Sequence, residues 1–473
     1  MKRKTKIVAT LGPATDDADV LSALIRAGVN VVRVNFSHGA VEDHRRRVTA
    51  ARRAAAACGH AVGVLMDLQG PKIRIESFVD DAVTLAAGQT FTLDTQMAAD
   101  AGTADAVALH YEALLADVKP GQQLLINDGA IALQITAVED HRIVCQVRVG
   151  GRLSGRKGVN LLGGGLSAGG LTDKDMQDIK LAAALQADFV AVSFVRSEQD
   201  MLQARQLLEA AGSSAHLCAK IERAEALDSL AKIIDASDAV MVARGDLGVE
   251  IGDAELPAVQ KRIIAQAREM NRLVITATQM MESMVSNPVP TRAEVLDVAN
   301  ATLDGTDAVM LSAETAVGAH PLATVEAMSR ICVGAERGDM AHRSNRRQPS
   351  HFMRVDEAIA MAATYTARNM HADAIIALTE SGATALLMSR QETRYPVYAL
   401  TQYKATERYL ALCRGVYPIA FTPSELSGRQ PIVEAITCLK ERGEIESGQR
   451  VLVTKGDFTG PGGTNAMKIM HVA

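Results

Sequence analysis

The chain has 473 residues, 48% of them hydrophobic and 22% charged, with a formal net charge of −5. That length holds two or three domains with separate cores, and the mild acidity gives no reason to expect nucleic acid or an acidic membrane surface as a partner. The six cysteines, at 58, 145, 218, 332, 413 and 438, form no close pairs, which argues against a zinc site or disulfide framework and for reduced core residues in a cytoplasmic protein.

The start, Met1-Lys-Arg-Lys-Thr-Lys6, is basic, but the apolar run behind it breaks at Gly12-Pro13, so no signal peptide is expected. No stretch reaches the roughly 18 consecutive apolar residues that span a bilayer. Short β-like runs then alternate with helical patterns. The strands are expected at 6–10, 30–34, 62–67, 188–193, 215–221, 238–242, 273–277 and 307–311, with helices such as 17–27, 41–58, 173–186, 197–211 and 257–271 between them. Eight strand-then-helix units imply an α/β fold of the (β/α)8 TIM-barrel type, with its site at the carboxyl ends of the strands.

The spacing breaks once, after the third strand. Residues 72–165 carry short alternating runs such as Phe91-Thr-Leu, Gln123-Leu-Leu-Ile and Ile143-Val-Cys-Gln-Val, with turn-formers at Asn127-Asp-Gly and Glu139-Asp. They read as an inserted antiparallel β-barrel domain, placed to act as a lid or else to be a spectator. The barrel proper is then 1–71 and 166–340. A polar, basic linker is expected at 341–354, and a second α/β alternation, with strands near 374–378, 397–400, 416–420 and 450–453, forms a carboxyl-terminal domain at 355–473.

Chemistry-bearing residues gather at the expected strand ends. The fifth strand ends in Lys220 and Glu222, which point the same way, and the sixth ends in Arg244-Gly245-Asp246. A lysine and two carboxylates there suit a magnesium ion with a phosphate, although a strand-end salt bridge reads the same way in isolation. Arg33, Asn35 and Ser37 close the second strand, Asp67 the third, Thr276 and Thr278 (expected on one side) the seventh, and Ser312 and Glu314 the eighth. The glycines of Gly245-Asp-Leu-Gly248 would let a ligand approach the amides of a helix start.

Lys220-Ile-Glu222, Met241 to Glu250, Ala277 to Met284, Pro290-Thr-Arg-Ala-Glu-Val295 and Leu311-Ser-Ala-Glu-Thr315, with Leu11-Gly-Pro13 and Asn35-Phe-Ser-His-Gly39, closely resemble the pyruvate kinase family, over the whole chain. The resemblance implies phosphoryl transfer from phosphoenolpyruvate to ADP, giving pyruvate and ATP, in a cytoplasmic homotetramer. It implies magnesium, with manganese as an alternative, on Glu222 and Asp246, and Lys220 facing the phosphoryl in flight. The substrate carboxylate falls to Gly245, Asp246 and Thr278, and a water near Thr278, Ser312 and Glu314 to enolate protonation. Arg33, Asn35, His38 and Arg74 would surround the phosphates, with Pro13 and Lys157 nearer the nucleotide.

Potassium-requiring members typically carry Thr-Lys after the strand-three Asp and a Glu near the following Ile, where this chain has Leu68-Gln69 and Lys72. The resemblance therefore implies a vestigial monovalent-cation site at Asn35, Ser37 and Asp67, with the Lys72 ammonium in the cation's stead and no potassium requirement. In the last domain, Leu378-Thr-Glu-Ser-Gly-Ala-Thr384 looks like a phosphate cradle and resembles the family's effector loop. Thr379, Ser381, Gly382 and Thr384 would hold the phosphate of a sugar phosphate or a nucleotide monophosphate, with Lys455 to Thr464 closing over it. A magnesium-dependent lyase on a similar barrel is the rival enzyme, but it needs neither lid nor Lys157 nor Arg74. A non-catalytic metabolite sensor would not need Lys220, Glu222, Asp246 and Thr278 together.

Overall fold

The computed structural model describes residues 2–167, 169–338, 354–391, 393–425, 428–456 and 463–473. All of the expected linker but Arg354, and positions 457–462 of the late glycine-rich loop, lie outside them.

Strands Lys6–Thr10, Val31–Asn35, Gly63–Asp67, Phe189–Val192, His216–Ile221, Ala239–Ala243, Leu273–Ala277 and Ala308–Leu311 close into a barrel. Each runs parallel to its neighbours in barrel order, and the last pairs with the first, Lys6 opposite Ala308. All eight fall within one residue of the runs expected from the sequence. Successive residues alternate between two cores. Val8, Val31, Leu65, Phe189, Cys218, Met241, Ile275 and Met310 belong to the interior cluster, whereas Ile7, Val32, Val64, Val190, Leu217, Val240, Val274 and Val309 pack with the surrounding helices. Carried further along each strand, the interior parity brings Thr10, Arg33, Asn35, Asp67, Ser193, Lys220, Glu222 and Ser312 to the carboxyl-terminal mouth.

The segment between the third and fourth barrel strands forms a six-stranded sheet in the order Val159–Leu161, Gln123–Ile126, Ile131–Val138, Arg142–Val149, Thr90–Asp94, Ala106–Ala108, with Ala82–Leu85 and Gly151–Ser154 as a separate pair. The expected Asn127-Asp128-Gly129 turn is present, with φ of 56°, 54° and 87° joining its two strands. In two respects the sheet departs from a purely antiparallel barrel. Ala106–Ala108 runs parallel to Thr90–Asp94, because the connection between them is a crossover rather than a tight hairpin, and the ladder stays open at its two edges.

The last sheet has the order Val416–Ala420, Val397–Thr401, Ala374–Leu378, Arg450–Gly456, Thr464–His471. Its antiparallel edge strand, Thr464–His471, was not anticipated; Asn465-Ala-Met-Lys-Ile-Met470 is only partly buried and carries little alternation. This domain seals the amino end of the barrel: Ala360, Ala363, Leu410 and Leu412 belong to the same apolar cluster as the barrel interior. A wholly buried ion pair joins the two units, Arg390 Nη1 donating at 3.0 Å to Asp307 Oδ1 just before the eighth strand. Asp307 also accepts from Val274 N and Arg414 N, each at 3.0 Å. Among the described residues, no helix is long and apolar enough to cross a membrane.

Candidate active site

Lys220 stands at the centre of the barrel mouth. Its Nζ donates to Ser193 Oγ at 2.7 Å and lies 2.9 Å from Glu222 Oε1 and 3.3 Å from Asp67 Oδ1. Asp67 Oδ2 accepts from Arg33 Nε at 2.6 Å, and Arg33 Nη1 reaches Thr10 Oγ1 at 3.0 Å. Five strand ends are thus laced together by hydrogen bonds between side chains. Burial works against the ammonium of Lys220, but the Asp67 and Glu222 carboxylates outweigh it and hold its pKa above the ordinary lysine value. Asp67 is buried too, yet Lys220 and Arg33 keep its carboxyl below the usual range. Glu222 moves the other way: burial pushes its carboxyl up, Lys220 opposes this, and the charge of Asp246 adds to the rise.

Asp246 sits in the first turn of helix Arg244–Ile251, which follows the sixth strand without a loop. Its Oδ1 accepts from Lys72 Nζ at 2.8 Å. Lys72 therefore delivers its charge to the Asp246 side of the mouth rather than to Asp67, whose carboxylate is taken by Arg33 and Lys220. Glu222, whose ionisation the Asp246 charge makes costlier, and Asp246 itself are each paired with an ammonium, a set of donors that fits a divalent cation. No group of three or more potential ligands gathers among the described residues. Magnesium takes one or two carboxylates, which Glu222 and Asp246 could supply, and fills its shell from substrate and water.

Thr278 is placed by its backbone. The strand alternation puts Thr276 on the outer face with Val274, where its hydroxyl meets Thr306 Oγ1 at 3.0 Å. It does not share a side with Thr278, as the sequence suggested. Thr278 and Gln279 instead take φ of 65° and 52°, and this left-handed turn brings the Thr278 hydroxyl to the amide of Gly245, which donates to it at 2.8 Å. Such a φ is unfavourable for a β-branched residue, by on the order of 1–3 kcal/mol. Strand periodicity cannot reveal a reversal of this kind.

Glu314 is fully buried, with Oε1 accepting from Met281 N at 3.2 Å and Oε2 from Ser312 N at 2.6 Å. It braces the seventh and eighth loops, so its action on Ser312 is one of position. Of the other expected residues, Asn35 and Ser37 pair locally, Ser37 N donating to Asn35 Oδ1 at 3.0 Å. Pro13, His38 and Arg74 are exposed and Lys157 is half-buried. Arg74 donates to the Arg156 carbonyl at 3.0 Å, inside the inserted segment.

Three contributors escaped the sequence reading. Ser193 and Thr10 obey the same strand-end rule as the others and were legible by it. Arg244 was noticed only as the close of an apolar run, yet its side chain binds the turn that carries Thr278.

In the carboxyl-terminal domain, Thr379, Ser381 and Thr384 line an open cleft, along with Thr401, Tyr403, Phe421 and Lys455. Gly382, with φ of 84°, donates its amide to Thr379 Oγ1 at 2.9 Å, and the hydroxyls of Thr384 and Thr464 meet at 2.6 Å. These residues belong to a different domain from the barrel mouth.

The model of the pyruvate kinase barrel domain matches residues 2–325, and that of the pyruvate kinase alpha/beta domain matches 357–470. The chain belongs to the pyruvate kinase family. It is 50% identical over 475 residues to pyruvate kinase II of Salmonella typhimurium, covering 99% of each chain. To the pyruvate kinase of Haemophilus influenzae it is 49% identical over 458 residues, 96% of each, and to that of Staphylococcus saprophyticus 39% identical, with 99% of this chain and 80% of that one covered. The chain is accordingly a pyruvate kinase-type phosphotransferase, acting on phosphoenolpyruvate and ADP. Pyruvate kinases generally use magnesium.

Proposed function

We propose that the reaction is carried out at the barrel mouth by Lys220, Arg33 and Thr278, with Glu222 and Asp246 holding the divalent ion. The observation that supports this most strongly is the buried ammonium of Lys220 set between Asp67 and Glu222 at the end of the fifth strand, with the charge of Asp246 felt by Glu222. A divalent cation on these carboxylates would supply electrostatic stabilisation to phosphoryl oxygens. Lys220 and Arg33 add positive charge where negative charge spreads in transfer, and Lys220 then faces the enolate left behind. The amides of Gly245 and Asp246, with the Thr278 hydroxyl, receive the substrate carboxylate. The enolate carbon takes its proton by way of Thr278 and Ser312, Ser312 being fixed by Glu314.

On this reading Asn35, His38, Arg74, Pro13 and Lys157 form the nucleotide side, and 72–165, hinged beside Lys72, is a lid that excludes water. Residues 1–71 and 166–340 are the catalytic unit, 341–354 the linker and 355–473 the regulatory unit. Thr379, Ser381, Gly382 and Thr384 bind the phosphate of an effector. The working form is a cytoplasmic homotetramer.

Potassium independence belongs to the same reading, since Lys72 already places a fixed cation beside Asp246 and Asp67 is neutralised by Arg33. A coupled assay of pyruvate formation from phosphoenolpyruvate and ADP tests both claims. Turnover is expected with magnesium in a medium free of sodium and potassium, and added potassium should leave it unchanged. A large rate increase on adding potassium contradicts the cation assignment, and sugar phosphates or nucleotide monophosphates added singly to the same assay identify the effector class.

A further inference from the structure

Arg244 takes no place in the chemistry above, yet it is the side chain most engaged with the turn that does. It begins the helix carrying Gly245 and Asp246, and its side chain reaches the 277–280 turn and helix Arg292–Leu303. There its guanidinium is spread over four partners. Nε donates to the carbonyl of Ala277 at 3.2 Å, Nη2 to the carbonyl of Thr278 at 2.7 Å and to Met280 Sδ at 2.8 Å, and Nη1 to Asp297 Oδ1 at 2.7 Å. Asp297 comes from helix Arg292–Leu303. Arg244 is buried, and so is Ala277.

We infer that Arg244 is a positioning residue for phosphoenolpyruvate, setting the Thr278 hydroxyl against the Gly245 amide by holding the reversed turn 277–280. The reversed backbone at Thr278 and Gln279 turns the carbonyls of 277 and 278 toward Arg244, where water is scarce. A planar fork of donors answers both carbonyls at once, which a point-charge ammonium cannot do. Because the same residue is bonded through its backbone to Gly245, it fixes the two halves of the carboxylate pocket to each other, and Asp297 fixes the fork. The inference rests on the assignment of Thr278 to the substrate.

A double-mutant cycle between Arg244→Gln and Thr278→Val tests it, with KM read separately for the two substrates. Arg244→Gln is expected to lower kcat/KM for phosphoenolpyruvate by about 100-fold, the scale of a displacement near 1 Å, while KM for ADP stays close to that of the parent. In the Thr278→Val background the same change should cost less than about threefold, since residues acting as one unit are not additive. Arg244→Lys, which keeps the charge and loses the fork, should behave as Arg244→Gln; it also serves for the cycle if the glutamine variant does not fold. Losses that multiply in the double variant, equal rises in KM for both substrates, or rescue by lysine overturn the inference alone. A Thr278→Val enzyme as fast as the parent overturns the assignment of Thr278 and the inference with it.

Discussion

Lys220→Met is expected to lower kcat by about 10³- to 10⁵-fold, the range spanned by removal of a cation aimed at a phosphoryl group in transfer. Three contacts make the loss this large. The ammonium is held by Ser193, Glu222 and Asp67 at 2.7, 2.9 and 3.3 Å, so it is oriented before substrate arrives and costs no reorganisation during transfer. Its charge is also secure, because the flanking carboxylates outweigh burial and keep its pKa raised. The fold should survive: Arg33 still neutralises Asp67, and Glu222 can take up a proton or the divalent ion. Lys220→Arg should not restore the rate, since a planar fork cannot occupy the point between Ser193, Asp67 and Glu222. Steady-state assays with a thermal melt of each variant check this, and turnover by Lys220→Met within tenfold of the parent contradicts it.

Arg390→Met should destabilise the chain by about 3–5 kcal/mol, the usual penalty for stranding one member of a buried ion pair. Arg390 and Asp307 are 1% and 0% exposed, and Asp307 ties the seventh and eighth barrel strands to the carboxyl-terminal domain. Arg414 N would still contact Asp307, but a backbone amide does not balance a full negative charge. Adding Asp307→Asn to Arg390→Met should recover part of the loss, since the charge goes while one side-chain oxygen stays to accept from Val274 N or Arg414 N. The midpoint of thermal unfolding measures both. An unchanged midpoint in Arg390→Met would mean that the pair carries no net weight at this joint.

How much of this was legible in the sequence depended on how local the cause was. Strand parity alone brought Arg33, Asp67, Lys220 and Glu222 to one mouth, because apolar alternation is written residue by residue. The same rule would have found Ser193 and Thr10. It misplaced Thr276, which does not share a side with Thr278: the orientation of Thr278 comes from a left-handed φ in a turn bonded by Arg244, itself paired with Asp297, all far apart in sequence. It could not say that Lys72 would meet Asp246, because that contact depends on how the inserted sheet returns to the barrel. The edge strand Thr464–His471 was invisible because its partner, not its own pattern, defines it.

On the proposed assignment, Glu222 and Asp246 share one divalent ion beside an ammonium that does chemistry rather than binding. A titration of manganese into the substrate-free protein, followed by the electron paramagnetic resonance of the free ion, tests it most directly in the parent, Glu222→Gln, Asp246→Asn and Lys220→Met. The two carboxylate variants should bind more than about tenfold more weakly than the parent, and Lys220→Met should bind as tightly or more so. Parental affinity in Asp246→Asn and Glu222→Gln, or loss of the ion in Lys220→Met, would contradict the account.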